Sequence, residues 1–388
     1  MRNRDPQNEL LSRRGFLRVT GGAAAAAGAA ACAPAVAPPS TAPATSGSGQ
    51  KAAWEQQWDD LLAAAKKEGK VVVQTAAGDG YREMLDEFPK AFPGIEMEHA
   101  QFPDSATYVP KITGERNAGI YSLDVALLPP TSALQQLKPI GAYEDLRPVI
   151  FRPDVLDDKA WDGGFAGRWR DVEKKLAFSH MRTVQHGCWV NTDLIKLDEI
   201  KSVDDLLKPQ WKGKFVFADP RQGAAFLSMT TLRLNGRADA IKKLIVDQEP
   251  AIIRDRRQAV EAIVRGRYPI AIGLLVAVVN EFRNEGVGKG VKNPDMAELD
   301  YQSSDCTLLY NKAPHPNAAK LFINWYLTKQ GGMAYANHVK LNSARLDVPI
   351  ADPETAPKPG VEYKMRNQEE IYGTIAEVQK EIIALTSN

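Results

Sequence analysis

Residues 211–227 read WKGKFVFADPRQGAAFL and combine the signals of a strand, a turn and a helix start. The apolar run at 214–218 predicts a buried strand, because its aromatic and β-branched side chains favour a pleated surface. Asp219-Pro220 ends this strand, since proline lacks a backbone donor, and residues 223–232 resume with the apolar spacing of a helix. The stretch therefore predicts an α/β fold in which a strand leads through a tight turn into a helix.

The turn between this strand and helix carries groups that attract anions. Backbone amides at a helix N-terminus are unpaired, and the helix dipole places positive charge at the same end. We therefore expect Arg221 and the amides of Gly223 and Ala224 to bind the anionic part of a ligand. The alternative is a purely structural turn in which Arg221 is a solvated cation, so the interpretation depends on the rest of the chain.

Length, charge and cysteine content limit the class of protein. The chain has 388 residues, of which 44% are hydrophobic, so it can bury one large or two medium cores. Its 49 basic and 48 acidic residues leave a formal charge of +1, and this balance predicts no nucleic-acid partner. The three cysteines and five histidines lack the spacing of a metal site, so we expect no metal and no cofactor. Cys188 and Cys306 are predicted to be buried free thiols on neighbouring strands, with a disulfide between them as the alternative.

The N-terminal segment has the pattern of export and anchoring signals. Arg13-Arg14 precedes a weakly hydrophobic run at 19–31 and resembles a twin-arginine signal. Ala29-Ala30-Ala31-Cys32 resembles a lipoprotein cleavage box that would make Cys32 the lipidated first residue; cleavage nearby without lipidation is the alternative, because Ala29 stands where the box usually has leucine. We predict a signal peptide at 1–31 and a flexible tether at 32–52. The folded domain is then periplasmic or extracytoplasmic and held to the cytoplasmic membrane by a lipid anchor.

Strands and helices alternate in the next part of the chain. Residues 71–73, 95–102 and 123–128 have the composition of strands, and the segments between them have the pattern of helices. This alternation predicts an open, mostly parallel sheet that binds ligands beyond the carboxyl ends of its strands. One wall of a ligand cleft is therefore expected to contain Thr75, Ala76, Phe102, Pro129 and Thr131.

Two extended segments predict crossings between two lobes. The chain changes character between residues 176 and 191, and residues 303–310 return to the first sheet. Lobe 1 then holds residues 53–187 and 309–388, lobe 2 holds residues 188–308, and the crossings form a two-strand hinge. We expect closure to bring Arg182 and Arg221 together as an anion clamp. Further ligand contacts are predicted for Ser303, Ser304 and Asp305 by hydrogen bonding and for Leu274 and Leu275 by apolar packing, with turn formation as the alternative role of each serine.

A late helical segment and several short motifs resemble one known family. Residues 312–327, followed by Gln330-Gly331-Gly332, are similar to the late helix of periplasmic solute-binding proteins of ABC importers, in the branch of ferric-iron, thiamine and phosphonate binders. The other motifs agree in order: Phe92-Pro93-Gly94-Ile95, Asn191-Thr192-Asp193-Leu194, Trp211-Lys212-Gly213-Lys214, Asp219-Pro220-Arg221 and Asn342-Ser343-Ala344-Arg345. The resemblance implies a type 2 periplasmic binding fold, monomeric and without enzyme activity. Its two lobes would close over a small-molecule solute and deliver it to a membrane permease and its ATPase.

The chain departs from the iron-binding members of that family at one position. Those members carry adjacent tyrosines after the strand that is here 270–273, whereas this chain has the apolar run 274–279, which cannot ligate a metal. We therefore expect an organic solute with an apolar part and an anionic group. The alternatives are a ligand-sensing lipoprotein of a signalling system, a ferric-iron binder, and an enzyme on the same fold. The sequence has no nucleophile elbow, Walker loop or metal-binding histidine pair that would favour an enzyme.

Overall fold

The computed structural model of the chain describes residues 52–221, 223–364 and 366–387. The predicted signal peptide with Arg13-Arg14, the predicted lipidation residue Cys32 and almost all of the predicted tether lie outside the described residues. Within the described ranges, no helix is both long enough and apolar enough to cross a membrane.

Helices and strands alternate along most of the described chain. The α-helices are α1 (Ala53–Glu68), α2 (Asp79–Leu85), α3 (Glu87–Ala91), α4 (Ser105–Asn117), α5 (Pro130–Ser132), α6 (Pro153–Leu156), α7 (Val203–Leu206), α8 (Gly223–Leu234), α9 (Ala238–Lys242), α10 (Arg256–Val264), α11 (Val276–Asn284), α12 (Pro316–Tyr326), α13 (Lys329–Ala334) and α14 (Tyr372–Thr386). The strands are β1 (Lys70–Ala76), β2 (Glu96–Phe102), β3 (Val125–Leu128), β4 (Tyr143–Glu144), β5 (Phe178–Ser179), β6 (Thr183–Gln185), β7 (Cys188–Asn191), β8 (Phe215–Ala218), β9 (Ala251–Ile253), β10 (Ile270–Ile272), β11 (Val291–Lys292), β12 (Tyr301–Ser303) and β13 (Cys306–Tyr310).

The sheet of lobe 1 has the strand order β2-β1-β3-β13-β4, with β5 also paired to β13. Strand β1 runs parallel to β2 and β3, whereas β13 runs antiparallel to β3, β4 and β5. Val71 and Val73 belong to the same core cluster as Phe322 of α12, and Val72 belongs to the cluster of Tyr108 in α4. Because both faces of the sheet are buried, the run at 71–73 is continuously apolar instead of alternating.

The sheet of lobe 2 has the strand order β11-β7-β10-β8-β9 and contains the stretch that predicts the fold. Strand β8 is parallel to β9 and β10, and β7 is antiparallel to β10 and β11. Phe215 and Phe217 cluster with Met229 of α8, whereas Val216 clusters with Val260 of α10. The strand and the helix predicted within residues 211–227 are thus present as β8 and α8, and β8 is buried on both faces.

The predicted α/β fold, with two sheets flanked by helices, is confirmed. The sheets are mixed rather than mostly parallel, which corrects one detail of the prediction. Strand β7 begins beside the end of β10, with Cys188 opposite Ile272, and β13 begins beside the end of β3, with Cys306 opposite Leu128. Strands β7 and β13 each follow a crossing between the lobes. Each therefore enters its sheet at the end where the parallel strands leave it, and runs antiparallel to them.

The crossing strands β6 and β12 form the hinge. They pair antiparallel, with Thr183 opposite Ser303, in a two-stranded sheet that is separate from both large sheets. The chain returns to lobe 1 slightly earlier than predicted, since β13 pairs within the first sheet from Cys306 onward. Cys188 and Cys306 therefore lie in different sheets, and the prediction of neighbouring strands is wrong. Both are buried free thiols, as predicted.

The C-terminal helix α14 connects the two lobes a third time. Its Val378 and Ile382 lie in the core cluster of lobe 2, together with Leu232 of α8. Just before the helix, Lys138 Nζ of lobe 1 donates to both carboxylate oxygens of Glu369, at 2.8 and 2.7 Å. The predicted assignment of residues 309–388 to lobe 1 does not hold for α14, because its apolar stripe is buried against lobe 2.

Candidate functional site

Both large sheets present the carboxyl ends of parallel strands next to the hinge. Strands β7 and β13 follow the hinge strands β6 and β12, and each begins at the edge where a parallel strand of its sheet ends. Ligand sites of open α/β sheets form at this edge. The structure has a pocket there in each lobe.

The first pocket lies in lobe 1, at the ends of β1, β2 and β3, and has a volume of about 190 Å³. All five residues predicted for this wall line it, namely Thr75, Ala76, Phe102, Pro129 and Thr131. The other lining residues are Gln74, Pro103, Asp104, Ser105, Tyr108, Leu128 and Ser132. The structure thus brings the predicted wall together around one pocket, and ligand contact by these residues stays a prediction.

Hydrogen bonds fix the polar groups at the base of the first pocket. Thr75 Oγ1 donates to Ala76 O at 2.7 Å and lies 2.6 Å from His99 Nε2. Gln74 is buried and accepts a hydrogen bond from Tyr310 Oη through its Oε1. The sequence prediction missed Gln74. Its position directly after the apolar run 71–73 was a usable signal, because a polar side chain at the end of a buried strand usually forms hydrogen bonds.

The second pocket lies in lobe 2, at the ends of β8, β9 and β10, and is smaller, with about 20 Å³. Four predicted site residues line it, namely Gly223, Ala224, Leu274 and Leu275. Ala218, Asp219, Arg254, Arg256 and Gly273 complete the lining. The sequence prediction missed Arg254 and Arg256. They lie at the junction of β9 and α10. A strand that leads through a turn into a helix is the same pattern that predicted anion-binding groups within residues 211–227.

Arg221 does not line the second pocket, because it is paired with its neighbour Asp219. Its Nε donates to Asp219 Oδ1 at 2.7 Å and its Nη2 to Oδ2 at 2.6 Å. These hydrogen bonds lower the pKa of Asp219 and raise that of Arg221. The turn at Pro220 brings the two side chains onto each other, so the guanidinium predicted to hold an anion already holds a carboxylate. Anion binding by Arg221 stays a prediction.

Gly273 allows β10 to end directly against the first turn of α8. Its φ is +78°, a conformation that side-chain-bearing residues rarely adopt, and a Cβ at this position would lie 2.7 Å from the backbone nitrogen of Ala225. The close approach places the start of α8 beside Leu274 and Leu275. The shape of the second pocket therefore depends on this glycine.

Arg182 and the residues predicted around it lie at the hinge and line neither pocket. The backbone amide of Arg182 donates to Asn342 O at 2.9 Å, and its buried Nε has no hydrogen-bond partner among the described residues. Burial lowers the pKa of Arg182. Ser303 is half-buried and pairs with Thr183 between the hinge strands. The structure thus does not bring Arg182 and Arg221 to a common pocket.

Ser304 and Asp305 are satisfied by partners within the protein. Ser304 Oγ accepts from Arg170 Nε at 3.0 Å and donates to Arg366 O at 2.9 Å. Asp305 accepts from Tyr81 Oη at 3.1 Å and is buried, and burial raises its pKa to about 6. Neither residue lines the first or second pocket, because the segment around Arg366 and helix α2 cover their side chains.

Replacing Asp305 by asparagine is expected to stabilise the protein at pH 8 and to change its stability little at pH 4. The folded-state pKa of about 6 lies above the ordinary value of 3.8. The protonated carboxyl therefore stabilises the fold at low pH, and this contribution is lost as the pH rises from 4 through 6. A shift of about two pKa units corresponds to about 3 kcal/mol in the free energy of unfolding. Urea unfolding of both proteins at pH 4 and pH 8 measures the difference.

Asp219→Asn is the matched control with the opposite sign. The pKa of Asp219 is lowered by Arg221, so its ionised form stabilises the fold above the ordinary pKa, and this contribution is lost as the pH falls through the lowered pKa. Asp219→Asn should therefore destabilise the protein at pH 8. A loss of stability at pH 8 in Asp305→Asn as well would contradict the burial argument for Asp305.

A larger groove of about 310 Å³ lies between α1 and the start of α12. Its lining includes Leu61 of α1, Glu144, Asp145 and Lys320 of α12. The groove is not formed by the carboxyl ends of parallel strands and contains none of the residues predicted for the site. The first and second pockets, in contrast, lie at the carboxyl ends of parallel strands and contain predicted site residues.

The sequence of the central part of the chain matches a known family. Residues 83–265 match the family described as bacterial extracellular solute-binding proteins. This segment is similar to that family. It extends from α2 to just beyond α10, so it includes β8, α8 and both arginines of the second pocket. The resemblance stated from the sequence motifs is confirmed. No curated protein matches the sequence.

Solved structures of solute-binding proteins share the fold at low sequence identity. An iron- and citrate-bound protein of Trichodesmium has 15% identity and a TM-score of 0.61, covering 82% of this chain and 98% of its own. Ferric iron-binding protein A of Mannheimia haemolytica, in an open conformation, has 16% identity and a TM-score of 0.61, covering 82% and 98%. The spermidine/putrescine-binding protein PotD of Streptococcus pneumoniae has 16% identity and a TM-score of 0.57, covering 81% and 99%.

These similarities establish the two-lobed fold. The solutes named for the three proteins differ and are not transferred to this chain. The matched family and these neighbours are solute-binding transport proteins and not enzymes, in agreement with the sequence prediction. The central segment of the chain is thus similar to extracellular solute-binding proteins, and the chain shares the fold of the solved ones.

Proposed function

We propose that the protein is the solute-binding protein of an ABC importer and captures a small organic anion with an apolar end between its two lobes. The observation that carries the proposal is the presence of one pocket in each lobe, at the sheet edges beside the hinge. Rotation about β6 and β12 would bring these edges together around one solute. The closed protein would then deliver the solute to the permease and ATPase of the importer.

The charge of the second pocket supports an anionic end of the solute. Arg254 and Arg256 line this pocket, and the carboxylate of Asp219 is already occupied by Arg221. Guanidinium groups bind carboxylates and phosphates through charge-assisted hydrogen bonds, which are the stronger kind. A cationic solute would be repelled at this end.

The donor atoms around the pockets support an organic solute over a ferric ion. Hard metal ions need several oxygen ligands, and the first pocket offers one carboxylate, Asp104, which caps α4 by accepting from Thr107 N at 2.9 Å. In the part of the chain that the structure describes, no group of three or more His, Cys, Asp or Glu side chains could hold a metal ion.

A thermal-shift panel tests the proposed class of solute. Compounds that bind only the folded state raise the melting temperature, with about 2.7 kcal/mol of stabilisation at one hundred times the Kd. The panel contains aryl and alkyl carboxylates, phosphonates, sugar phosphates, ferric citrate and spermidine. We expect at least one organic anion to stabilise the protein. Stabilisation by ferric citrate alone or by spermidine alone would contradict the proposal.

The double substitution Arg254→Ala with Arg256→Ala is expected to weaken binding of the stabilising anion about tenfold to hundredfold. The melting temperature without ligand should change little, because both side chains are exposed at the rim of the second pocket. Arg257→Ala is the matched control, since Arg257 follows Arg256 on α10, pairs with Glu281 and lines neither pocket. Calorimetric titration measures the three affinities. An equal loss in the control, or no loss in the double variant, would contradict the role of the two arginines.

We also propose that the chain is exported by the twin-arginine route and anchored through Cys32. The family match supports an extracytoplasmic site, and the motifs at Arg13-Arg14 and Cys32 support the route and the anchor. Cells grown with a labelled fatty acid should incorporate the label into the wild-type protein but not into Cys32→Ala. Label that persists in Cys32→Ala, or an unlabelled wild-type protein, would contradict the anchor.

A further inference from the structure

We propose that the first pocket is a neutral half-site for the uncharged end of the solute, an aromatic ring with one hydrogen-bond acceptor that Gln74 recognises. The inference rests on the proposed function and names the class of solute more closely: a small aryl carboxylate or related anion whose ring carries a carbonyl or similar acceptor. The anionic group would lie in the second pocket and the ring in the first.

The size and walls of the first pocket fit one ring. Its volume of about 190 Å³ exceeds the roughly 150 Å³ of an engineered protein cavity that holds benzene, so a ring with a small substituent fits. The rings of Phe102 and Tyr108 both line the pocket, with centroids 6.3 Å apart in an edge-to-face arrangement. Aromatic walls favour an aromatic occupant, because offset and edge-to-face ring pairs gain more than their buried area.

Gln74 supplies a fixed donor at the base of this pocket. The side chain is 1% exposed, and its Oε1 accepts from Tyr310 Oη, which sets the orientation of the amide. The Nε2 group is then the remaining donor of the side chain. A donor that a ligand covers without supplying an acceptor loses its water at a cost, so an acceptor on the ligand is favoured over an apolar group of the same shape. The hydroxyl of Thr75 does not compete for this role, since it already donates to Ala76 O.

The charges around the first pocket place the anionic group of the solute elsewhere. Asp104 is the charged residue of its lining, and that carboxylate accepts from both the backbone nitrogen and Oγ1 of Thr107, each at 2.9 Å. A second anion beside Asp104 would be repelled, and no arginine or lysine lines this pocket to offset the repulsion. Arg254 and Arg256 across the hinge are the cations that line the second pocket.

Two probes of the same shape test the inference in the full-length protein. In 4-acetylbenzoate a carbonyl oxygen takes the place of one methyl group of 4-isopropylbenzoate. Both probes carry the carboxylate. We expect wild type to bind 4-acetylbenzoate about tenfold to hundredfold more tightly in calorimetric titrations. The double variant Gln74→Leu with Tyr310→Phe removes both partners of the internal hydrogen bond, so neither is left unpaired. In this variant the preference should fall below about threefold, while 4-isopropylbenzoate binds at least as tightly as to wild type.

Gln248→Leu is the matched control, because Gln248 is also a buried glutamine but lines neither pocket. It should keep the preference for 4-acetylbenzoate. Equal affinity of wild type for the two probes, an unchanged preference in the double variant, or no binding of either probe up to about 10 mM would overturn the inference. If another organic anion stabilises the protein in the thermal-shift panel, the proposed function survives that result. If only ferric citrate or spermidine does, both fail.

Discussion

Replacing Gly273 by alanine is expected to lower the free energy of unfolding by about 2 to 6 kcal/mol and to distort the second pocket. Two effects add. A φ of +78° is strained for alanine, and the new Cβ would clash with the backbone of Ala225 in the first turn of α8. Backbone atoms in a helix cannot move aside as the end of a flexible side chain can. Thermal and guanidinium unfolding of Gly273→Ala against wild type measure the loss.

Gly223→Ala separates the two contributions to this loss. Gly223 also has a positive φ, of +63°, but a Cβ there would meet no atom within 4 Å. Only the backbone strain remains, at about 1 to 2 kcal/mol. A Gly273→Ala protein no less stable than Gly223→Ala would show that β10 and α8 do not pack as closely as described, and the shape of the second pocket would need revision.

Replacing Arg168 by methionine is expected to cost about 3 to 5 kcal/mol, because buried acceptors lose their donors. Arg168 is 2% exposed. Its Nε donates to Ser179 O at 2.9 Å, its Nη1 to Asp162 O at 3.1 Å, and its Nη2 to Ser179 Oγ at 3.0 Å and to the carbonyl of Met181. These bonds hold the chain immediately before hinge strand β6, so amide hydrogen exchange in residues 179–185 should also become faster.

The surface substitution Arg265→Met is the control for Arg168→Met. Arg265 pairs with Glu261, and its side chain is 74% exposed, so its replacement should change stability by no more than about 0.5 kcal/mol. Unfolding experiments on both variants decide the comparison. A similar small effect of Arg168→Met would mean that its buried hydrogen bonds do not secure the entry into the hinge.

Local signals predicted the elements that line the pockets. Residues 215–218 are apolar at every position because β8 is buried on both faces. The first wall was predicted because ligand sites follow the carboxyl ends of parallel strands. Non-local packing explains what the sequence could not predict. Helix α14 docks on lobe 2 through Val378 and Ile382, although the chain leading to it returns to lobe 1.

Some residues predicted for the site have partners within the protein that the sequence pattern did not reveal. Arg221 was expected to bind an anion because it follows a strand, but Asp219 lies two residues before it and occupies both arms of its guanidinium. Ser304 was expected to contact the solute, whereas residues far along the chain, around Arg366, cover it. Gln74 was not predicted because its amide is oriented by a hydrogen bond from Tyr310, and the two residues come together only in the folded sheet.

The most direct test of solute capture between the lobes is a fluorescence energy-transfer distance across the hinge. The dyes are attached at Ala106→Cys, beside the first pocket, and at Arg257→Cys, beside the second. The chain also carries Cys32→Ser, and Cys188 and Cys306 need no replacement because they are buried. We predict that the anion found in the thermal-shift panel raises the transfer efficiency, with half of the change at its calorimetric Kd. An unchanged efficiency at saturating anion would contradict capture by closure of the two lobes.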